Sequence, residues 1–394
     1  MLFPASKSHR RSSTFVLPAV VLLAIGLQLA PQAKRLFAAD PLKAVTVEGS
    51  PLRWYDAKEI GIEGRGWSDV NDFYDRLPKK AEATVPKSVW GLSKDSAGML
   101  VRFRAKTPSI SVFWALRKAN LAMPHMPATG VSGVDLYGRN EAGQWRWIAN
   151  GRPSAQNQRM QLTGELPPGE REYLLYLPLY NGVNDVQIGV PADATLTRSE
   201  SPAAKKKPMV FYGTSIMQGA CASRPGMAHA SILGRRLDRP VINLGFSGSG
   251  KMEIELANLL AELDPAVYVI DCLPNVDAKQ VEERTEPLVA ALRKAHPTTP
   301  IVLVEDRTYS DVEWAASKRK RNDTSRAAYK AAYDRMLKAG VTGLTYVEGE
   351  QLLREDREDT VDSSHPTDLG FMRHADVLEP ILRKVLGEEA TAAR

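Results

Sequence analysis

The sequence predicts an α/β protein, a parallel sheet covered by helices on both faces, preceded by a β-rich module. Three observations predict it. From residue 209 onward, short apolar runs alternate with helical stretches, the pattern of strand–helix–strand units. Between residues 43 and 198, short runs of partial alternation are separated by Gly, Pro and Asn turns, which suggests a sandwich. Between the two, Ser199 to Pro208 (SESPAAKKKP) has linker composition, and its lysines 205–207 read as a solvated hinge. The expected division is 1–39, 40–198, 199–208 and 209–394.

The chain begins with an address. Lys7, Arg10 and Arg11 precede an apolar stretch of seventeen residues, Thr14 to Ala30, and small residues follow at Ala38 and Ala39. This is the layout of an export signal, and the run is almost long enough to serve as an uncleaved anchor. The body is expected to work outside the cytoplasm, periplasmic, secreted or at the cell surface, with any membrane attachment through this segment alone.

In the β-rich half, Met99–Lys106, Ser109–Leu116, Val131–Tyr137, Gln144–Ile148, Met160–Leu166 and Arg171–Leu179 read as strands. Six of the seven tryptophans (Trp54, Trp67, Trp90, Trp114, Trp145 and Trp147) lie here. They are expected chiefly in the core and between modules.

In the second half, the strands expected are Pro208–Gly213, Pro240–Leu244, Ala266–Leu273, Pro300–Val304 and Gly343–Val347. The main helices expected are Val281–His296, Thr324–Ala339 and Gly370–Leu386. Sheets of this kind bind ligands beyond the carboxyl ends of their strands. The polar residues just after each strand are therefore the candidates for chemistry.

Composition narrows the function classes. Of 394 residues, 43% are hydrophobic and 25% charged, a globular balance. The formal charge of +6 is local: residues 1–39 hold five basic side chains and no acid, which leaves 47 basic against 46 acidic residues. The body thus has no electrostatic reason to bind nucleic acid. Two cysteines cannot build a disulfide scaffold or a four-cysteine zinc site.

The strand ends carry complementary groups. Gly213-Thr214-Ser215 ends the first and Asn243-Leu244-Gly245-Phe246-Ser247-Gly248 the second. Asp271-Cys272-Leu273-Pro274-Asn275 ends the third, and Asp362-Ser363-Ser364-His365-Pro366 precedes the last helix. A serine hydroxyl needs a base to become a nucleophile. His365 can take its proton, and Asp362 can orient the imidazole. Backbone N–H groups of Ser215 and Gly248, with the Asn275 amide, can hold a developing oxyanion. Each residue also has a plainer reading: Ser215 as a helix cap, Asn275 and Gly248 as turn residues, His365 as structural.

Here the sequence resembles the SGNH hydrolases, the GDSL esterase/lipase family. Ser215, Gly248, Asn275 and His365 match its four blocks in chain order, and Asp362 matches its Asp-x-x-His pair. The resemblance spans roughly 207–390. It implies a three-layer α/β/α flavodoxin-like domain with strand order 2-1-3-4-5, ester hydrolysis, no cofactor and no metal. Residues 43–198, with Gly133-Val134-Asp135-Leu136-Tyr137, look like the module preceding some bacterial members, and some carbohydrate esterases pair a jelly roll with this domain. Thr214 stands where the family usually has Asp, and Leu273-Pro274-Asn275-Val276 replaces Gly-x-Asn-Asp.

Other features are weighed beside it. Gly245 to Lys251 (GFSGSGK) fits most of a phosphate loop, but Met252 stands where the magnesium-binding hydroxyl belongs. His125, His229, His296 and His374 are read as surface or core. Glu305-Asp306-Arg307 is either a pocket wall or a surface ion cluster. Cys221 and Cys272 follow neighbouring strands in the family's order, so a disulfide is open in an oxidising compartment. The reading is a serine esterase removing short acyl groups, acetyl first, from a small-molecule or glycan ester. An acyltransferase using the same serine, or a carbohydrate-binding protein with a decayed site, remains the alternative.

Overall fold

A computed structural model describes residues 42–388 apart from 48, 201, 203 and 204. The export signal or anchor expected over 1–39 lies outside the described residues. Among the described residues no helix is long and apolar enough to cross a membrane.

The first half contains β1 (Ala44–Thr46), β2 (Leu52–Asp56), β3 (Ile62–Glu63), β4 (Leu100–Lys106), β5 (Ile110–Leu116), β6 (Asp135–Arg139), β7 (Trp145–Asn150), β8 (Asn157–Thr163), β9 (Glu170–Tyr176), β10 (Val183–Pro191) and β11 (Thr195–Arg198). They pair antiparallel into two sheets, in the orders β1-β2-β10-β5-β8 and β11-β4-β9-β6-β7. Alternate residues of both sheets, among them Phe103, Val112, Trp114, Leu136, Leu175 and Ile188, fill one buried core. That is the sandwich the alternation predicts. Three short helices interrupt the strands: α1 (Ala57–Ile60), α2 (Lys87–Leu92) and α3 (Ala128–Val131).

The second half contains β12 (Met209–Gly213), α4 (Ser215–Gln218), α5 (His229–Arg236), β13 (Val241–Gly245), α6 (Ile254–Leu260), β14 (Val267–Asp271), α7 (Ala278–Ala295), β15 (Ile301–Val304), α8 (Ala316–Lys338), β16 (Leu344–Val347) and α9 (Asp368–Val385). The sheet is parallel, in the order β13-β12-β14-β15-β16, which is 2-1-3-4-5. Its strands are apolar on both faces because helices cover both. Val210, Tyr212 and Ile270 face α6, α7 and α8. Met209, Phe211 and Val269 face α4, α5 and α9. Gly213 is in register with Gly245 and with Asp271, so the three strands end at one level.

The sheet excludes the disulfide. Cys221 packs with the α4, α5 and α9 face, Cys272 with the opposite face, and both are free and buried.

The two halves share a core. Leu77, Ala81, Val85 and Val89, from the segment around α2, pack against Leu244, Phe246 and Leu256. Arg76 is fully enclosed. It donates to the carbonyls of Leu92 and Asp95 in the first half and of Asn243 and Gly245 in the second. Burial lowers its pKa to about 10, with Asp95 opposing. Asp135 is buried as well. It accepts from Arg224 Nη1 at 2.7 Å, Gly226 N at 2.8 Å and Trp147 Nε1 at 2.8 Å. Trp114 lies in the sandwich core, Trp54 is buried on the outer face of its sheet against Gly189 and under Arg159, and Trp67 bonds Glu262 across the halves. Trp147 is half-exposed.

Candidate active site

Ser215 is the first residue of α4. Thr214 caps the helix, its hydroxyl accepting from Ile216 N at 3.3 Å. This is the part played by the residue that departs from the family pattern. The Ser215 N–H precedes the first intrahelical donor and is left for other use. Ser215 Oγ lies 2.8 Å from His365 Nε2, and His365 Nδ1 lies 2.8 Å from Asp362 Oδ2. The other oxygen of Asp362 accepts from His365 N at 2.8 Å and Ser364 N at 3.1 Å. Burial raises the Asp362 pKa, but the backbone N–H and then the imidazole of His365 outweigh it, and the carboxyl is held below its ordinary range.

Arg307, which the sequence left between a pocket wall and a surface cluster, is buried under this loop. Its Nε donates to Ser364 O at 2.8 Å, and its Nη atoms bond Ser364 Oγ and Asp306 Oδ1. From α8, Asn322 Nδ2 reaches Asp306 Oδ2 and Arg307 O, both at 3.2 Å. Lys318 Nζ reaches Ser363 Oγ at 2.6 Å.

Gly248 and Asn275 lie at the same strand ends. Gly248 has φ +66°, is exposed, and its amide bonds no described residue. Asn275 ends the turn Leu273–Asn275, and one of its amide protons goes to Ser249 O. The glycines of the phosphate-loop-like run serve packing. A Cβ at Gly245 would strike the backbone of Met217 and Gln218, and one at Gly250 would strike Gly213 O. The run is filled by its own neighbours and offers no cradle for phosphate.

The first half reaches this site, which the sequence did not signal. Tyr180 OH donates to Ser215 O at 3.1 Å. Gln218, at the end of α4, donates to Asp95 Oδ2 at 3.2 Å and Leu179 O at 3.1 Å, and accepts from Ser247 N at 2.9 Å. His125, read as an ordinary histidine, stands at the exposed tip between Met123 and Met126, with its ring 5.7 Å from that of His365. Cys221 lies beneath them. Burial and then Asp362 push its thiol up to about 12, so at neutral pH it is not a rival nucleophile. His229 and His374 lie in the α5–α9 core, and His296 bonds Ala261 O.

This geometry has counterparts. Residues 206–383 match the GDSL-like lipase/acylhydrolase family, and residues 52–196 match the N-terminus of SGNH-hydrolase-type esterases. No curated protein sequence gives a match. A GDSL-like lipase from Bacteroides ovatus ATCC 8483 is 33% identical over 86% of this chain and 100% of its own, with a TM-score of 0.82. The salicylyl-acyltransferase SsfX3 from a tetracycline biosynthetic pathway is 19% identical over 88% of this chain and 98% of its own, with a TM-score of 0.65. A family two carbohydrate esterase from Clostridium thermocellum, in complex with cellohexaose, is 15% identical over 74% and 93%, with a TM-score of 0.54. The last two share the fold. The first shares sequence along nearly the whole described chain, and with it the chain belongs to the GDSL-like lipase/acylhydrolase, or SGNH, family of carboxylic ester hydrolases.

Proposed function

We propose that this chain is a serine esterase that removes short acyl groups, acetyl foremost, from a carbohydrate. The observation that carries it is the hydrogen-bonded chain from Ser215 through His365 to Asp362, 2.8 Å at each step. Ser215 Oγ attacks the ester carbonyl carbon while His365 Nε2 accepts its proton. Asp362 holds the ring by Nδ1–H and stabilises the imidazolium. The N–H groups of Ser215 and Gly248 and the second amide proton of Asn275 bind the oxyanion. The alcohol leaves with the proton from His365, and an acyl-serine remains. Water then gives a proton to His365 and attacks the acyl carbon, the bond from that carbon to Ser215 Oγ breaks, His365 returns the proton to Oγ, and the carboxylic acid departs.

Two features support a sugar as the alcohol. Trp314 is 89% exposed, on a segment whose Ser310 N bonds Ser363 O at 3.0 Å, beside the loop of Asp362 and His365. An open indole face suits stacking on a sugar ring. The shared fold with the family two carbohydrate esterase agrees. The fold shared with the salicylyl-acyltransferase keeps acyl transfer to a second alcohol as the other reading.

The test is hydrolysis of p-nitrophenyl acetate and longer acyl esters, then of acetylated oligosaccharides, by the full chain. Ser215→Ala and His365→Ala should each lose ~10⁴-fold or more in kcat. Folded wild type as inert as both variants would sink the esterase reading. An acylated acceptor in place of free acid would move it to acyl transfer.

A further inference from the structure

Among the described residues, His125, Cys221 and His365 each offer one ligand atom, and the three atoms lie within 4.8 Å of one another. We propose that these residues form an inhibitory site for a thiophilic divalent cation of the zinc type, which switches the esterase off by occupying its base. The effect on activity rests on the esterase reading; the ion site does not.

The donor set is two imidazoles and one thiol, the ligands that suit Zn²⁺. Tetrahedral bonds of ~2.0–2.3 Å put neighbouring ligand atoms about 3.5 Å apart, so side-chain rotations of modest size close the site. His365 is already prepared as a ligand. Asp362 takes the Nδ1 proton at 2.8 Å and leaves the Nε2 lone pair pointing out toward Ser215. A carboxylate behind a ligating imidazole orients it and raises its basicity toward a metal. His125 is exposed, which gives the ion a way in, while Met126 beside it is buried in the core that also holds Ala220, Cys221 and Ala222. The tip carrying His125 is therefore anchored over Cys221.

On binding, the Cys221 thiol gives its proton to solvent and its thiolate bonds the ion, while His125 and His365 bond as neutral imidazoles. A water or Ser215 Oγ completes four coordination. With its Nε2 lone pair on the metal, His365 no longer accepts the serine proton. The ion acts as a brake on the reaction and is not a cofactor of it.

The probe is Co²⁺ for spectroscopy and Zn²⁺ for activity, with the full chain. Co²⁺ should bind one to one, with a thiolate-to-cobalt charge-transfer band and the strong visible bands of four coordination. Cys221→Ser should abolish the charge-transfer band. His125→Ala, at an exposed position, should weaken binding by about tenfold or more. Zn²⁺ should suppress p-nitrophenyl acetate hydrolysis more than about tenfold, reversibly by chelator, and His125→Ala should raise the half-inhibitory concentration by the same factor as it weakens binding. Absence of the charge-transfer band, its persistence in Cys221→Ser, or zinc inhibition unchanged in both variants would overturn the proposal. A cobalt band that depends on both residues in a protein without esterase activity would support the ion site and remove the esterase reading instead.

Discussion

Tyr180 donates its phenolic proton to the carbonyl of Ser215 at 3.1 Å, so a residue of the β-rich half holds the backbone of the serine. That carbonyl also accepts from Gly219 N at 3.0 Å and Ala220 N at 2.9 Å. Burial keeps the phenol neutral, hence a donor. Tyr180→Phe removes one bond and leaves the carbonyl satisfied. A hydrogen bond of this kind contributes about 0.5–1.5 kcal/mol. If it acts on the position of Ser215, kcat for p-nitrophenyl acetate should fall roughly two- to tenfold with little change in KM. An unchanged kcat beside a lowered melting temperature would show that the hydroxyl only stabilises the fold.

Arg307 holds the loop of Asp362 and His365 by bonds to Ser364. Arg307→Met leaves Ser364 O, Ser364 Oγ and Asp306 without that partner, and the loop loses its floor. A shift near 1 Å in a catalytic group costs on the order of 10²-fold. We expect kcat to fall about 10- to 100-fold in a protein that remains folded by circular dichroism. Ser364→Ala keeps the bond from Arg307 Nε to the carbonyl and should lose far less. Equal losses in the two variants would contradict this account.

The parallel domain was legible because its strands are buried on both faces and read as unbroken apolar runs. All five lie within one or two residues of expectation. The placement of Ser215, Gly248, Asn275, Asp362 and His365 at the strand ends was legible because each follows a strand or precedes the last helix. β10 was not, since Val183-Asn184-Asp185-Val186 interrupts its own alternation with a bulge between Val183 and Asp185. α8 begins at Ala316, well before Thr324, because Ala-Ser-Lys-Arg-Lys-Arg-Asn-Asp has helix formers and almost no apolar stripe. Tyr180, His125 and Arg307 reach the site across long stretches of chain, and no local spacing encodes such contacts. The disulfide does not form because Cys272, just past β14, lies on the α6–α8 side of the sheet, while Cys221, in the loop after α4, lies on the other.

Asp135, in the Gly-x-Asp-Leu-Tyr run, joins the halves through Arg224 and Gly226, and also accepts from Trp147 in its own half. All three partners are donors. Burial raises its pKa against the pull of Arg224, yet the carboxylate is the form the site is built to receive. Asp135→Asn turns an amide N–H toward donors and leaves Arg224 uncompensated. Breaking a buried pair costs about 3–5 kcal/mol. Denaturant unfolding should show a loss of that order, and hydrolysis should fall too, because Arg224 and Gly226 lie on the segment that follows α4. Wild-type stability in this variant would mean the join is made elsewhere.

His229 is one of two buried histidines that make the fold sensitive to acid; the other, His374, lies against it, and burial and then the neighbouring His229 hold its pKa well down. His229 is fully buried in the α5–α9 core, stacked on Phe371 at 5.5 Å, and neither ring nitrogen has a hydrogen-bond partner among the described residues. Burial lowers its pKa to about 4. The unfolded chain therefore takes a proton near pH 6.5, while the folded chain does not until about pH 4. Below pH 6.5 the unfolded state binds more protons, so stability falls with acid and levels off below about pH 4. Asp271 works the other way over the same range, since burial raises its carboxyl to about 7. A difference measurement separates the two. His229→Phe keeps a ring among Phe211, Phe371 and His374 and removes this titration, leaving Asp271 and a still-buried His374 in both proteins. Relative to its own value at pH 8, the variant should gain on wild type by about 2 kcal/mol at pH 5 and about 3 at pH 4. Parallel stability curves for the two proteins from pH 8 to pH 4 would show that His229 protonates as readily in the fold as out of it.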